Sequence, residues 1–225
     1  MKKVVFLVFI FALSIGLAFS TNCSFSGFTN LSGVQGSGTS KSETRNVSGF
    51  TKIDTGGAIN IEVAVQKDFS VVVEADDNLL TNIKTEVSGD TLKVYSEDRI
   101  SPKTRINVRI SMPAIEGLDV SGASSGNIAN VNADSLELKA SGASKIKVDG
   151  TAKELNADAS GASTIDAESL KAENADVEAS GASKAIVSAT SDLKVDASGA
   201  SKILYVGDPK NIKQNSSGAS SVTKK

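Results

Sequence analysis

Acidic and basic side chains recur at fixed offsets from a repeated tetrapeptide, Ser-Gly-Ala-Ser, in the second half of the chain. Carboxylates and amines held in two such rows could bind a cation such as calcium, or recognise a glycan or protein partner. If the repeats stack about 4.8 Å apart, like charges within a row repel unless they are screened or bridged. A solvated surface that binds nothing is the plain alternative. The acidic row is Asp158, Glu178 and Asp196, two residues before a motif, and the basic row is Lys145, Lys184 and Lys202, directly after one.

The same carboxylates raise a second alternative, a polysaccharide-acting enzyme, because glycoside hydrolysis uses two carboxyl groups as acid and base. The spacing argues against this alternative, since a catalytic site usually interrupts a repeat rather than following it. The repeats also lack arginine, histidine and tryptophan. We therefore expect a non-catalytic protein without catalytic residues.

Composition excludes further kinds of chemistry. The chain of 225 residues has no histidine, which removes the usual general base near neutral pH and histidine metal ligation. Cys23 is the only cysteine, so an internal disulfide and a cysteine zinc cluster are excluded. The 24 basic and 26 acidic residues nearly balance, which indicates no nucleic-acid partner.

The first residues have the pattern of an export signal. Lys2 and Lys3 precede an apolar run, Val4 to Phe19, and Ala18-Phe19-Ser20 fits a cleavage site. The run is shorter than the roughly 20 apolar residues of a membrane-spanning helix. We predict a signal peptide over residues 1–20, and hence a secreted protein or one of the bacterial cell envelope (periplasm, outer membrane or cell surface).

Cys23 lies just beyond this signal and is a candidate for lipidation, since lipoproteins are cleaved directly before a cysteine. Asn22 is a poor fit to a lipoprotein signal, which favours Gly, Ala or Ser at that position. Cleavage after Ser20, with Cys23 as an incidental thiol, is the alternative. We expect contact with a membrane only through such a lipid anchor.

The tetrapeptide itself predicts the fold. Its copies recur every 18–20 residues, and a fixed period in this range is typical of stacked structural units. Apolar and polar residues alternate on both sides of each copy, which predicts two short β-strands per repeat rather than a helix. The copies begin at Ser121, Ser141, Ser160, Ser180, Ser198 and Ser217.

Equivalent strands of successive repeats run in the same direction and therefore pair in parallel. No segment between the motifs can supply the helix that a parallel crossover usually contains. The sequence predicts an all-β, right-handed parallel β-helix with one coil per repeat. We expect the motif to form the corner of each coil, with its glycine at positive φ, its serines in hydroxyl ladders and its alanines in a stacked inner row.

The remaining segments divide the chain. Residues 21–46 are rich in Ser, Gly, Thr and Asn and are predicted to be a flexible tether. The solenoid domain is predicted over residues 47–225, with Thr55-Gly56-Gly57-Ala58 as a degenerate first corner. Residues 70–114 break the period and are predicted to form an irregular antiparallel section, followed by the regular repeats of residues 115–225. The polar last coil, with Gln214 and Ser216, is interpreted as a cap.

Several separate elements together resemble the family called putative auto-transporter adhesin, head GIN domain. They are Phe50 with Ile53, Gly57-Ala58-Ile59-Asn60, Val72-Val73-Glu74-Ala75-Asp76, the Ser-Gly corners, and Tyr205-Val206-Gly207-Asp208-Pro209. The resemblance covers about residue 47 to the C terminus. It implies a bacterial envelope protein with a right-handed parallel β-helix and an adhesion-like or ligand-presenting role.

Overall fold

The computed structural model describes residues 33–225, and these residues contain β-strands and no helix. Stacked parallel coils form a β-solenoid of about five turns, with an antiparallel section at the N-terminal side. The predicted all-β solenoid and its irregular section are thereby confirmed. Between residues 33 and 225 there is no helix of the length and apolarity that a membrane crossing requires. The predicted signal peptide, residues 1–20, lies outside the described residues.

Short strands make up the N-terminal section and long strands make up the repeats. The first ten strands are β1 (Val34–Gln35), β2 (Ser40–Arg45), β3 (Lys52–Thr55), β4 (Ile59–Val65), β5 (Ser70–Asp76), β6 (Ile83–Ser88), β7 (Thr91–Ser96), β8 (Ile100–Ser101), β9 (Ile106–Met112) and β10 (Gly117–Val120). The others are β11 (Ser125–Ala140), β12 (Lys145–Ala159), β13 (Thr164–Ala179), β14 (Lys184–Ala197), β15 (Lys202–Val206), β16 (Asn211–Ser216) and β17 (Ser221–Lys224).

Each of the regular coils β11 to β14 is one long strand that runs from one motif to the next. Neighbouring coils pair in parallel, so that Leu138 lies beside Ala157 and Ala157 beside Val177. The register shifts within each pair, as between Ile128 and Val131, and such irregularities bend a strand. The repeat is therefore a bent continuous strand, where the sequence predicted two short ones.

The core runs along the inside of the stack and consists of small and branched aliphatic side chains. In the coils before the last, alternate residues on both sides of a motif are buried, as the alternation predicted; Val177 and Val195, before a motif, and Ile165, after one, are all 0% exposed. Burial of this apolar surface stabilises the coils by about 25 cal/mol per Å². In the last coil Gln214 and Ser216 are exposed, so the interior row ends there.

The Ser-Gly-Ala-Ser motif forms the corner of each coil, as predicted. The corner glycines have φ between 70° and 73°, and successive corners are joined by hydrogen bonds such as Ala162 N to Gly142 O (2.7 Å). The predicted inner row of alanines is wrong, because Ala162 and its equivalents are exposed. The last serine of the motif points inward instead; Ser163 and Ser183 are 1% and 2% exposed.

Part of the section predicted to be irregular is itself a coil, and its position in the stack differs from its position in the sequence. β7 pairs in parallel with β3, and β9 pairs in parallel with β4. The coil made of β7 and β9 therefore stacks on the N-terminal side of β3 and β4, although it follows them in the sequence. The antiparallel strands β6 and β5 then extend the two sheets beyond it.

Residues 34–45, which lie in the predicted flexible tether, form strands. β2 pairs antiparallel with β5 over six residues, and β1 pairs in parallel with β8. The side chains of β2 are almost all exposed and show no apolar alternation, which is why the sequence did not reveal an edge strand there. Residues 21–32 of the predicted tether lie outside the described residues.

Candidate functional site

The structure brings the three residues of the acidic row together. Asp158 lies beside Glu178, and Glu178 beside Asp196, in three consecutive coils. The row lies on the outer surface of the strands that lead into the corners. Lys139 precedes the row in register and Asn215 follows it. The Asn215 Nδ2 donates a hydrogen bond of 2.7 Å to Asp196 Oδ1, which satisfies one acceptor at the C-terminal end of the row.

A second outward row lies two residues away on the same strands. It places Asp176 in register with Lys194 of the next coil. Carboxylate oxygens of Asp176, Glu178 and Asp196 come within 4.8 Å of one another, a geometry that could hold a cation. Sequence reasoning missed Asp176 and Lys194, and the signal that could have found them is the alternation itself, since they stand four residues before a motif.

Lys194 already supplies a positive charge to this cluster. Its Nζ lies 2.8 Å from Asp176 Oδ2 and 3.7 Å from Asp196 Oδ2. The hydrogen bond to the Asp176 carboxylate is the main reason why the pKa of Lys194 is raised. All three side chains are more than a third exposed, so solvent also screens the repulsion between the carboxylates.

Shallow grooves lie along the acidic row. One, of about 260 Å³, is bounded by Asp158, Glu178 and Asp196 and by serines of the neighbouring corners, including Ser180 and Ser198. A second, of about 230 Å³, continues along the same face past Lys139 and Asp176. We call these two grooves and the acidic row the acidic face. The acidic face is open, polar and elongated, so it suits an extended partner better than a small molecule, which usually binds in an enclosed pocket.

The basic row is interrupted. Lys184 and Lys202 are neighbours in register on the strands that leave the corners. Thr164 lies between Lys145 and Lys184, so Lys145 is two coils away from Lys184 and three coils away from Lys202. Lys145 and Lys202 are exposed and Lys184 is half-buried. The row therefore presents a pair of adjacent lysines and a separate one.

A further carboxylate pair lies at the N-terminal end of the same face. Asp119 is in register with Asp54 of the preceding coil. Burial raises the pKa of Asp119 above its ordinary value, and the negative charge of Asp54 raises it further. Lys139 lies beside Asp119 on the other side and opposes this effect. The alternation of charge, Asp119, Lys139, Asp158, shows that the face is acidic only from Asp158 onward.

Asp76 is the most deeply buried carboxylate among residues 33–225, at 0% exposure, and it has a structural role. Its Oδ1 accepts a hydrogen bond from Gly38 N (2.8 Å), and its Oδ2 accepts bonds from Lys103 N (2.7 Å) and Thr104 N (3.2 Å). Burial alone raises the pKa of Asp76, but the three backbone donors outweigh it and hold the pKa below its ordinary value. Asp76 thereby ties the N-terminal strands to the loop that precedes β9.

The inward serines of the motif are also structural. Ser163 Oγ donates to Ala140 O at 2.9 Å, and Ser183 Oγ donates to Ala159 O at the same distance. Each bond links one coil to the one before it. Because these hydroxyls are buried, the motif can offer a ligand only its first serine, its glycine and its alanine. Cys23, the predicted lipidation site, lies outside the described residues.

The comparisons with known proteins agree with the fold. The sequence pattern of the family described as putative auto-transporter adhesin, head GIN domain, matches residues 49–209. The chain belongs to this family, as the resemblance implied. No curated protein matches the chain.

Solved structures with the same fold include three crystal structures of proteins described as putative adhesins. That from Bacteroides fragilis is 19% identical, with a TM-score of 0.71, and the match covers 85% of this chain and 100% of that one. Those from Parabacteroides merdae and Parabacteroides distasonis are 16% and 21% identical, with TM-scores of 0.57 and 0.56. Each match covers 85% of this chain, and 98% and 99% of theirs respectively. At these identities the likeness concerns the fold.

Proposed function

We propose that this chain is a non-catalytic, exported protein of the bacterial envelope or cell surface that binds a glycan or protein partner through the acidic face. The observation that carries the proposal is the acidic row, with Asp158, Glu178 and Asp196 in consecutive coils beside open grooves. Membership of an adhesin-like family supports a surface-exposed, binding role.

The geometry favours contact over many coils rather than chemistry at one point. The carboxylates repeat with the coil, so a partner with its own regular spacing of amines, amides or hydroxyls can contact several coils at once. Fully exposed charge pairs contribute little individually, and a row is needed for appreciable affinity and for electrostatic steering of the partner.

A binding measurement with two matched variants tests the proposal. In the acidic-row variant, Asp158→Asn, Glu178→Gln and Asp196→Asn are combined. The control variant combines Glu62→Gln, Asp68→Asn and Glu173→Gln, which remove the same charge from exposed positions elsewhere. The purified full-length proteins are applied to a glycan array and to immobilised envelope proteins. We expect at least about tenfold weaker binding by the acidic-row variant and unchanged binding by the control.

Equal binding by the two variants, or no binding to either array, would contradict this role for the acidic face. The same preparations are assayed for cleavage of acidic polysaccharides, and turnover lost in the acidic-row variant would establish the enzymatic alternative instead.

Calcium is the cation that we propose for this face, through Asp176, Glu178 and Asp196. Calorimetric titration with calcium tests it, with saturable heat expected for the wild type and none for the acidic-row variant. Because Lys194 already neutralises part of the cluster, Lys194→Gln is expected to tighten calcium binding. Weaker binding by that variant would contradict the assignment.

A further inference from the structure

The largely apolar cavity at the N-terminal end of the solenoid has no role in the proposed function. It measures about 520 Å³, within the range of small-molecule sites, and lies over the first corner, residues 56–58. In the coil made of β7 and β9, residues 97–105 form a wide loop, which includes the short strand β8, where the regular coils have a four-residue corner. This wide loop leaves room above the first corner. The apolar wall consists of Ile59, Ile100, Pro102, Ile106 and the ring of Tyr95.

The first corner lacks the hydrogen-bond partner that every later corner has. In the later corners the alanine N–H donates to the glycine carbonyl of the coil before it, as Ala123 does to Gly57 (2.7 Å) and Ala143 to Gly122 (2.8 Å). Ala58 occupies the position of Ala123, because β3 and β4 are in register with β10 and β11. The preceding coil has no corner, and within residues 33–225 the Ala58 N–H has no acceptor.

The Gly56 N–H is in the same situation. Its counterpart in the next coil, Ser121 N, donates to Thr55 O at 2.8 Å. The carbonyl that would correspond for Gly56 is Val94 O, and that oxygen accepts a bond from the Thr55 hydroxyl at 3.1 Å. Among the described residues no acceptor contacts Gly56 N. The amides of Gly56 and Ala58, two residues apart in the first corner, therefore have no partners among the described residues, and such amide groups form natural sites for anions.

One cationic side chain lines the same cavity. Arg99 is exposed, and its guanidinium makes no ion pair or hydrogen bond with any residue between 33 and 225. The neighbouring Asp98 also lines the cavity, but its Oδ2 accepts a hydrogen bond of 2.9 Å from Asn82 Nδ2, which engages the carboxylate with the protein. The cavity thus combines an apolar wall, two unpaired amides and a guanidinium that, among the described residues, makes no ion pair.

We propose that this cavity binds the carboxylate end of an apolar molecule. The carboxylate accepts hydrogen bonds from the Gly56 and Ala58 amides and from Arg99, since charge-assisted bonds to a guanidinium are strong and geometrically specific. The apolar body packs on Ile100, Pro102 and Ile106. A free aliphatic acid and the C terminus of a peptide ending in an aliphatic residue share this chemistry, and the test separates them.

Calorimetric titration of the full-length protein with four probes tests the proposal. Octanoate is compared with octanol, and an N-acetylated tripeptide ending in leucine is compared with its C-terminal amide. We expect at least one acid to bind, and its neutral counterpart to bind at least about tenfold more weakly, because a hydrogen bond to a charged group is lost. Binding of octanoate but not of the peptide acid identifies a free acid as the ligand, and the reverse result identifies a peptide terminus.

Two matched variants locate the binding. Arg99→Gln removes the guanidinium at the cavity, and Arg105→Gln removes one from an exposed residue that does not line it. We expect Arg99→Gln to weaken binding of the acid about tenfold or more and Arg105→Gln to leave it unchanged. Ile100→Ser, at the apolar wall, is expected to weaken binding of the acid and not to strengthen binding of the neutral probe.

Circular dichroism of each variant verifies the fold. The proposal is overturned if neither acid binds at millimolar concentration, if the neutral probes bind as well as the acids, or if Arg99→Gln and Arg105→Gln have equal effects.

Discussion

At the scale of single residues, the glycine and the last serine of the motif have structural roles, in backbone conformation and in hydrogen bonding between coils. In four of the six corners the last serine donates its hydroxyl to a carbonyl of the coil before it, as Ser163 does to Ala140 O. Ser124 instead accepts a hydrogen bond from Ile59 N, and Ser144, which is 2% exposed, has no partner for its Oγ within residues 33–225. Ser163 and Ser144 therefore form a natural pair for measuring what the hydrogen bond between coils contributes.

We predict that Ser163→Ala lowers the free energy of unfolding by about 1 kcal/mol, the usual net contribution of one such bond. Ser144→Ala removes a buried hydroxyl that has no partner and is expected to be neutral or stabilising. Urea denaturation of the two variants and the wild type measures both effects. An equal loss of unfolding free energy in the two variants would show that the serine does not stabilise the protein through the bond between coils.

Asp76 leads to a prediction about pH. Its pKa in the folded protein is below the ordinary value, so its stabilising contribution is present above the unfolded-state pKa and is lost as the pH falls through the folded-state pKa. We expect Asp76→Asn to lower the melting temperature at pH 7, and the difference from the wild type to shrink with acidification.

Thermal melts followed by circular dichroism between neutral and acidic pH measure this difference. Asp68→Asn, at an exposed carboxylate, is the control and is expected to match the wild type throughout. If the melting temperatures of Asp76→Asn and the wild type differ by the same amount at every pH, the charge of the carboxylate does not contribute to its bonds with the three N–H groups.

At the scale of elements, the corner and the long bent strand are the repeating parts. The corner glycine is required for two reasons, its positive φ and the close approach of the next corner. Gly161 has φ of 71°, and a Cβ added there would lie 2.7 Å from Gly142 O, because successive corners stack backbone on backbone. The period and alternation predicted the corner, its glycine and the inward aliphatic rows. They could not predict which of the other motif residues points inward, since that depends on the corner's own dihedral angles.

We predict that Gly161→Ala destabilises the protein by more than the roughly 1–3 kcal/mol of a strained backbone conformation alone, because the added methyl group also collides with the stacked corner. Gly89→Ala is the matched control: its φ is 64°, and no atom lies within 4 Å of an added Cβ. The free energies of unfolding of the two variants, measured in urea, are compared. Equal destabilisation would indicate that close stacking of the corners is not what requires glycine.

At the scale of the whole molecule, the regular part of the solenoid can be predicted from its sequence, whereas the order of the coils at the N-terminal end cannot. Pairing of β7 with β3 and of β9 with β4 joins segments that are not consecutive coils in the chain, and local periodicity carries no information about such an exchange of order. The edge strand β2 and the cavity above the first corner arise from that arrangement. The acidic row was predictable because it repeats with the coil. Its partner Lys194 belongs to the second outward row and can be predicted only when that row is considered too.

The central claim is that the corner motif is a structural frame and that the acidic face binds an envelope or surface partner. Site-specific photo-crosslinking in the producing cells tests it most directly. A photo-reactive residue replaces Glu178 on the acidic face or, as control, Lys147, an exposed residue on a strand that leaves a corner. We predict a discrete crosslinked partner in the envelope fraction from position 178 and none from position 147. No adduct from position 178, or the same adducts from both positions, would contradict the account.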